Sequence, residues 1–577
     1  MSITQSKTVL KLIIASTILY SIGKYAVGRV RNLKLRNKAK EKLRRKLEFK
    51  LNAEDVGIEL ESFILSLTAG ELAKGIRERK FSCVQVMSIY AKRALEIGRN
   101  LNLTTEECFE DALREAKLCD EEVEKGVFRG LLHGVPISLK DHFSMKGYQT
   151  TYGLSWKLDY TDDETFILIE LLKKQGAIPF VRSNVSQGLM WIESKNRVYG
   201  QALNPWNTLK TPGGSSGGEG GLIAARASPL GIASDVGGSI RCPCNFCGVY
   251  GFVPTPKRVP KAWILGSKVH NVELMGQFLE CSYGPIGKCV EDLSLVLQIW
   301  LSDELFSLKP EVVPLKFEIS KYKSSKSLKV GIFPGHEKFP VAKCIKDAII
   351  KCGQELQTTC EVIQYDFPQL EKLAKLFNLL YGMEGNSGLF EALKGEDPED
   401  YFTLMIFNEN HPYLMALLMK VLKLAGQKRL VELYDLSVEA SIPGYLQIFQ
   451  DIEDVVQDTI RGWENLALDC VVCPAFGVVA VSHGQATDVV PCLVYSYIWN
   501  MLGFCFGVIP VGIVEKGQAK FEDSFDDILT KACREVMENG EGLPYALQVV
   551  GLPYKDEVVL NLMKRIEGIF DFHKYAL

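Results

Sequence analysis

From Leu67 to Glu124, Leu, Ala and Ile recur at spacings of three and four among interleaved acidic and basic residues, a pattern that predicts two or three surface helices. After this stretch the period changes. Short apolar runs, among them GVPISLK, AIPFV, LGIASDVG, LKVGIF, LDCVVCPAF and FGVIPVG, alternate with helical segments. Such alternation predicts an α/β protein with a mixed or parallel sheet covered by helices. No internal repeat and no long low-complexity linker divides it, so residues 67–577 read as one large domain.

The N-terminus follows another pattern. Leu12 to Ile22, LIIASTILYSI, is an uncharged run too short to cross a bilayer alone. Lys11 and Lys24 can snorkel, and the run extended from Val9 to Val30 has about the twenty residues that a spanning helix needs. Residues 8–30 are therefore expected to form a single membrane-anchor helix. A secretory signal carries its positive charge before the apolar core, whereas here the charge follows it. Residues 29–50 hold eleven Lys or Arg against Glu41 and Glu48. The positive-inside rule puts this basic juxtamembrane segment, 31–66, and the large domain after it on the cytosolic side of the membrane. An endomembrane such as the endoplasmic reticulum is among the expected sites, and the basic residues also suit anionic lipid headgroups. An in-plane anchor helix and a signal cleaved near Ala26 and Gly28 are the alternatives.

Over all 577 residues the formal net charge is −3, so no overall field favours nucleic acid, and outside the basic patch the chain is mildly acidic. One span is too few for a transporter. The sixteen cysteines lack the dense framework of a secreted mini-domain, which implies reduced thiols in a cytosolic compartment. Cys242, Cys244 and Cys247 form one CxxC with no second pair and no histidine nearby, so they read as small buried side chains rather than zinc ligands. No metal or organic cofactor is indicated.

The most unusual stretch is TPGGSSGGEGG, Thr211 to Gly221, followed by ASDVGGSIRCPCNFCG from Ala233 to Gly248. Six glycines in eleven positions imply a backbone that side chains would obstruct. A flexible linker would not lead into an apolar run and a second Gly-Gly-Ser. A phosphate loop would end in Gly-Lys-Ser/Thr, and a dinucleotide site needs GxGxxG after a strand; neither is present. Backbone amides around Val236, Gly237, Gly238 and Ser239 suit an oxyanion better than a diphosphate.

These residues resemble the amidase-signature family. The match runs through GGSSGGEGGLIAARASPLGIASDVGGSIRCPC, Gly213 to Cys244, and GVPISLKDHF, Gly134 to Phe143, is similar to the family's lysine strand. The resemblance implies a large mixed, twisted β-sheet surrounded by helices, with residues 67–577 as the catalytic domain. It also implies a Lys, Ser, Ser triad, here Lys140, Ser215 and Ser239, with the relay Ser215 following a cis bond from Gly214. Ser216, Asp235 and Arg241 are similar to positions that support the triad.

The chemistry is sensible from the residues themselves. A serine hydroxyl needs a nearby base, and none of the seven histidines sits in a suitable context. A lysine can serve if neutral, and burial in a strand such as VPISLK lowers its pKa by desolvation. An ion pair of Lys140 with Asp141 is the competing reading, weakened because neighbours on a strand point to opposite faces.

The anchor, together with SYGPIGK and LPYALQVVGLPYKDE, resembles the branch of the family that hydrolyses fatty acid amides. That resemblance implies a lipid amide substrate, contact with the bilayer and a homodimer among the expected assemblies. It also assigns Leu189 and Met190, with Trp191, to a substrate channel. Residues 401–433 are rich in large apolar side chains and in Lys and Arg, and read either as a membrane-dipping cap or as a buried core helix.

Overall fold

The computed structural model describes residues 33–46, 48, 51, 56–260, 281–380, 386–393, 395–433 and 442–575. The strands are β1 (Thr104–Glu107), β2 (Pro136–Lys140), β3 (Ile178–Ser183), β4 (Lys195–Asn196), β5 (Gly200–Gln201), β6 (Leu230–Asp235), β7 (Tyr250–Val253), β8 (Ser282–Gly287), β9 (Lys329–Ile332), β10 (Glu361–Gln364), β11 (Cys470–Pro474), β12 (Cys505–Ile513) and β13 (Pro544–Gly551). Eleven of them form one sheet in the order β1-β3-β2-β6-β8-β7-β12-β13-β11-β9-β10, and β4 and β5 form a small separate pair. The sheet is mixed: β2 runs parallel to β3 and to β6, whereas β8 is antiparallel to both β6 and β7. The apolar runs are its inner strands, buried along almost their whole length because helices cover both faces.

Among the helices that matter here are α1 (33–46), α2 (Ile58–Ser66), α3 (Ala69–Arg77), α4 (Cys83–Arg93), α5 (Phe109–Glu124), α6 (Ile167–Lys174), α7 (Gly217–Ala224) and α8 (Arg241–Cys247). Thr68 and Ser82 start α3 and α4 with capping boxes closed by Glu71 and Gln85. The sequence pattern predicts surface helices here, but α4 buries Cys83, Val86, Met87, Ile89, Tyr90 and Ala91, leaving only a narrow polar edge. β1, with the sequence TTEE, escapes the hydrophobic pattern because it is an edge strand bonded only to β3.

The expected anchor, residues 8–30, lies outside the described residues. No described helix is long and apolar enough to cross a membrane. Several lysines of α1 pair with acids of the large domain rather than standing free for lipid headgroups. Lys38 pairs with Asp159 and Lys42 with Glu106, and Lys46 donates to Thr104 O at 2.6 Å and lies 3.8 Å from Glu107. Within 401–433, Phe402 and Arg429 are buried, but the buried-core reading fails over the two apolar helices. Helices Thr403–Asn410 and Pro412–Leu424 bury none of their residues, and Tyr413, Leu414, Leu417, Leu418, Val421 and Leu424 are exposed.

Candidate active site

β2 and β6 are parallel neighbours, so Lys140 and Asp235 end adjacent strands at one edge of the sheet. Each of the two glycine-serine turns that follow leads into a short helix, α7 after Ser215 and Ser216, and α8 after Ser239 and Ile240. These helices pack on one another, which brings the two turns together. Gly214 must lack a side chain, because a Cβ there would lie 2.6 Å from Trp191 O and 2.8 Å from Glu193 N. The Gly214–Ser215 peptide is cis. Gly238 has φ +129°, a conformation that favours glycine.

The result is a continuous chain of polar groups. Lys140 Nζ donates to Ser215 Oγ at 2.8 Å, and Ser215 Oγ donates to Ser239 Oγ at 2.9 Å. Lys140 is completely buried, and its other contacts are Ser234 Oγ at 3.1 Å and Ser234 O at 3.2 Å. With no carboxylate touching it, burial pushes its pKa down to about 8, against the weaker opposing fields of Cys281, Asp235 and Glu219. The competing ion pair with Asp141 is not formed. Asp141 turns instead to Thr151 and to Arg182 Nε, 3.6 Å away, and burial raises its carboxyl to about 6.

Asp235 and Arg241 support the turn. Asp235 accepts the backbone N–H of Gly238 at 2.9 Å and of Ile240 at 2.8 Å, and the Arg241 guanidinium at 2.7 Å. Burial alone would raise this carboxyl, but Arg241 and the two amides outweigh it and hold it below the usual carboxylate range. The four amides expected to face an oxyanion differ in their engagement. Gly238 N–H is already spent on Asp235, whereas the amides of Val236, Gly237 and Ser239 have no acceptor among the described residues. Ser216 N–H donates to Ser239 O at 3.3 Å and Ser216 Oγ to Ser234 O at 3.4 Å, tying the two turns together.

Leu189 and Met190 are buried in the main core, and Leu189 follows a tight turn with φ +63°. Their loop reaches the site through its backbone, at Trp191 O against Gly214, while the Trp191 ring stacks on Tyr401 at 5.4 Å and 5°. Two contributors escape sequence reading. Ser234 holds the lysine, and Ser194 Oγ accepts Gly217 N–H at 2.8 Å and donates to Ser215 O at 3.3 Å. The only signal for Ser234 is a hydroxyl inside an otherwise apolar buried strand, which must find a partner.

Cys242, Cys244 and Cys247 are buried in α8. Among the described residues, three potential metal ligands converge at Cys119, Glu122 and His133, but their atoms are already engaged. His133 Nδ1 accepts Arg129 N–H at 3.1 Å, its Nε2 contacts Cys119 O at 3.1 Å, and Glu122 grips the Arg129 guanidinium.

A family model described as Amidase matches residues 85–560. The chain is 32% identical over 544 residues to fatty-acid amide hydrolase 1 of Sus scrofa, spanning 90% of this chain and 88% of that one. It is 28% identical over 531 residues to fatty acid amide hydrolase 1 of Caenorhabditis elegans, spanning 89% and 90%. A solved structure of fatty acid amide hydrolase shares the fold with a TM-score of 0.76 at 23% identity, covering 94% of each chain.

Proposed function

Because this chain belongs to the amidase family and is an amide-hydrolysing enzyme, we propose that Ser239 is its nucleophile, Ser215 its proton relay and Lys140 its base. The observation that carries this reading is the bonded series Lys140 Nζ, Ser215 Oγ, Ser239 Oγ, buried around a lysine with no acidic contact. Neutral Lys140 takes the Ser215 proton as Ser215 takes that of Ser239. Ser239 Oγ then bonds to the substrate carbonyl carbon. The amides of Val236, Gly237 and Ser239 are the candidate donors to the oxyanion, since their hydrogens are not spent among the described residues.

The relay then runs in reverse. Lys140 returns its proton through Ser215 to the amide nitrogen, the C–N bond breaks, and the amine leaves; an amide nitrogen leaves poorly without that proton. Water, deprotonated along the same path, attacks the ester on Ser239 and releases the carboxylic acid.

Fatty acid amides are the substrate class we infer, supported by the fatty-acid amide hydrolases among the relatives. An acyl chain of about eighteen carbons loses roughly 14 kcal/mol on entering water at about 0.8 kcal/mol per methylene, so it stays in the bilayer. The exposed apolar side chains of Pro412–Leu424 suit contact with that bilayer. An anchor at residues 8–30, a cytosolic catalytic domain and a homodimer belong to the same reading.

A fluorophosphonate probe tests the nucleophile. Peptide mapping is expected to find the adduct on Ser239, with labelling and turnover both lost in Ser239→Ala; an adduct on Ser215 with Ser239 untouched would reverse the assignment. Hydrolysis of long and short acyl amides, read by product mass, tests the substrate class.

A further inference from the structure

A cavity of about 430 Å³ lies at the end of the sheet opposite Lys140 and Ser239, a size typical of small-molecule sites. Its place follows from the topology. Lys140 and Asp235 end β2 and β6, whereas the cavity adjoins Tyr250, which begins β7 and pairs with Gly287 at the end of β8. α7 and α8 run between the two ends, with Ser216 and Ile240 at their starts and Ala224 and Cys247 on the cavity wall. At 1.5 Å per residue their length keeps the cavity about 12 Å from the two serine turns.

The wall is amphipathic. Trp206 and Phe572, with ring centroids 6.3 Å apart, supply an apolar surface. Opposed to it are two basic side chains, Arg226 just past α7 and Lys288 just past β8. Lys288 donates only to neutral acceptors, Leu65 O and Leu67 O at 3.0 Å and Tyr90 Oη at 3.2 Å. Arg93 adds a further positive charge nearby, with its Nε on Ala225 O at 2.7 Å.

The acids around this cluster offset only part of its charge. Asp292 accepts Gly70 N–H at 3.1 Å, and burial raises its carboxyl to about 6. Glu71 is exposed at the rim and engaged with Thr68 N–H at 2.9 Å. Cys289 is a buried thiol whose pKa burial raises, so it carries no charge, and the His573 ring stacks on Tyr250. Cations at helix C-termini are stabilising in themselves, and Lys288 and Arg93 are accounted for that way because each caps carbonyls. The Arg226 guanidinium is different: half-buried on the wall, it has no hydrogen bond or ion pair among the described residues.

We infer that this cavity binds a small organic anion, with its carboxylate on Arg226 and Lys288 and its apolar body against Trp206 and Phe572. The guanidinium fork matches a carboxylate bidentately. Burial, opposed by the field of Asp292 and helped by those of Arg226 and Arg93, holds Lys288 at about 7. A bound anion favours the charged lysine, so binding at pH 8 takes up a proton. This site does not depend on the hydrolytic mechanism proposed above.

Calorimetric titration of the full chain with octanoate at pH 8, in HEPES and in Tris, tests it. The expected result is binding with uptake approaching one proton, weakened at least tenfold in Arg226→Gln, while Lys288→Met loses the proton uptake. Arg226→Lys, which keeps the charge but not the fork, is expected to recover part of the affinity and guards against a folding artefact. Binding that is equal in wild type, Arg226→Gln and Arg226→Lys, as entry into the catalytic site alone would give, overturns the inference; so does an absence of binding to the wild type.

Discussion

Asp235 and Arg241 face one another with Nη2 and Oδ1 2.7 Å apart, and neither side chain is exposed to solvent. The same carboxylate holds the amides of Gly238 and Ile240, and the guanidinium reaches on to Ser496 O and Asn500 Oδ1 while lying 3.8 Å from the centre of the Phe506 ring. One buried pair thus fixes the turn that presents Ser239. Removing one partner of such a pair leaves an uncompensated buried charge, at a cost of about 3 to 5 kcal/mol.

Arg241→Ala is therefore expected to lower the unfolding free energy by that order and to slow fluorophosphonate labelling of Ser239. Arg241→Lys should recover part of the stability but less of the labelling, because an ammonium cannot serve Asp235, Ser496 and Asn500 together. Chemical denaturation and labelling rates on the same preparations check both; unchanged stability in Arg241→Ala would show that the pair contributes little.

In the proposed mechanism Lys140 acts twice, as base for acylation and as the source of the proton for the leaving amine. Lys140→Ala should lose several orders of magnitude in amide hydrolysis. Matched esters, which leave without that proton, should lose less once acylation limits both. Steady-state kinetics on an amide and ester pair decide it, and near-normal amide turnover in the variant would remove lysine from the mechanism.

The pH profile follows from the same group. Lys140 is the base only when neutral, and burial sets its pKa at about 8. The value of kcat/KM should fall about tenfold per unit below that pH and level off above it. A flat profile from pH 6 to 9 would contradict a neutral-lysine base.

The apolar face of Pro412–Leu424 yields a membrane prediction. A form lacking residues 1–30 should still sediment with vesicles, since burying a few large side chains at about 1.5 to 3 kcal/mol each holds a protein on a bilayer. Leu417→Glu with Leu418→Glu should release it and slow long acyl amides more than short soluble ones. A folding defect would slow both alike, so the contrast between substrates is the deciding measurement. Full solubility of the truncated form with long-chain activity intact would rule out the cap.

The strands were legible because inner strands of a covered sheet are continuous apolar runs, and GVPISLK and LGIASDVG needed no partner to be seen. β1 was not, because TTEE has a strand's place without a strand's hydrophobicity. The burial of α4 was hidden in the same way, since apolar spacing marks one face and not how many neighbours surround it.

By itself the sequence determined the local chemistry: two serine turns made possible by glycines, and a lysine ending an apolar strand in which burial lowers its pKa. Only the tertiary structure decided the partners. Lys140 turns to Ser234, 94 residues away, and not to adjacent Asp141. Gly238 N–H is bonded to Asp235, in a turn steadied by Asn500, 265 residues from Asp235. The physical reason is one of range. Backbone conformation and hydrophobic period are set by neighbours along the chain, whereas a buried polar group bonds to whatever the packing of distant segments brings within about 3 Å.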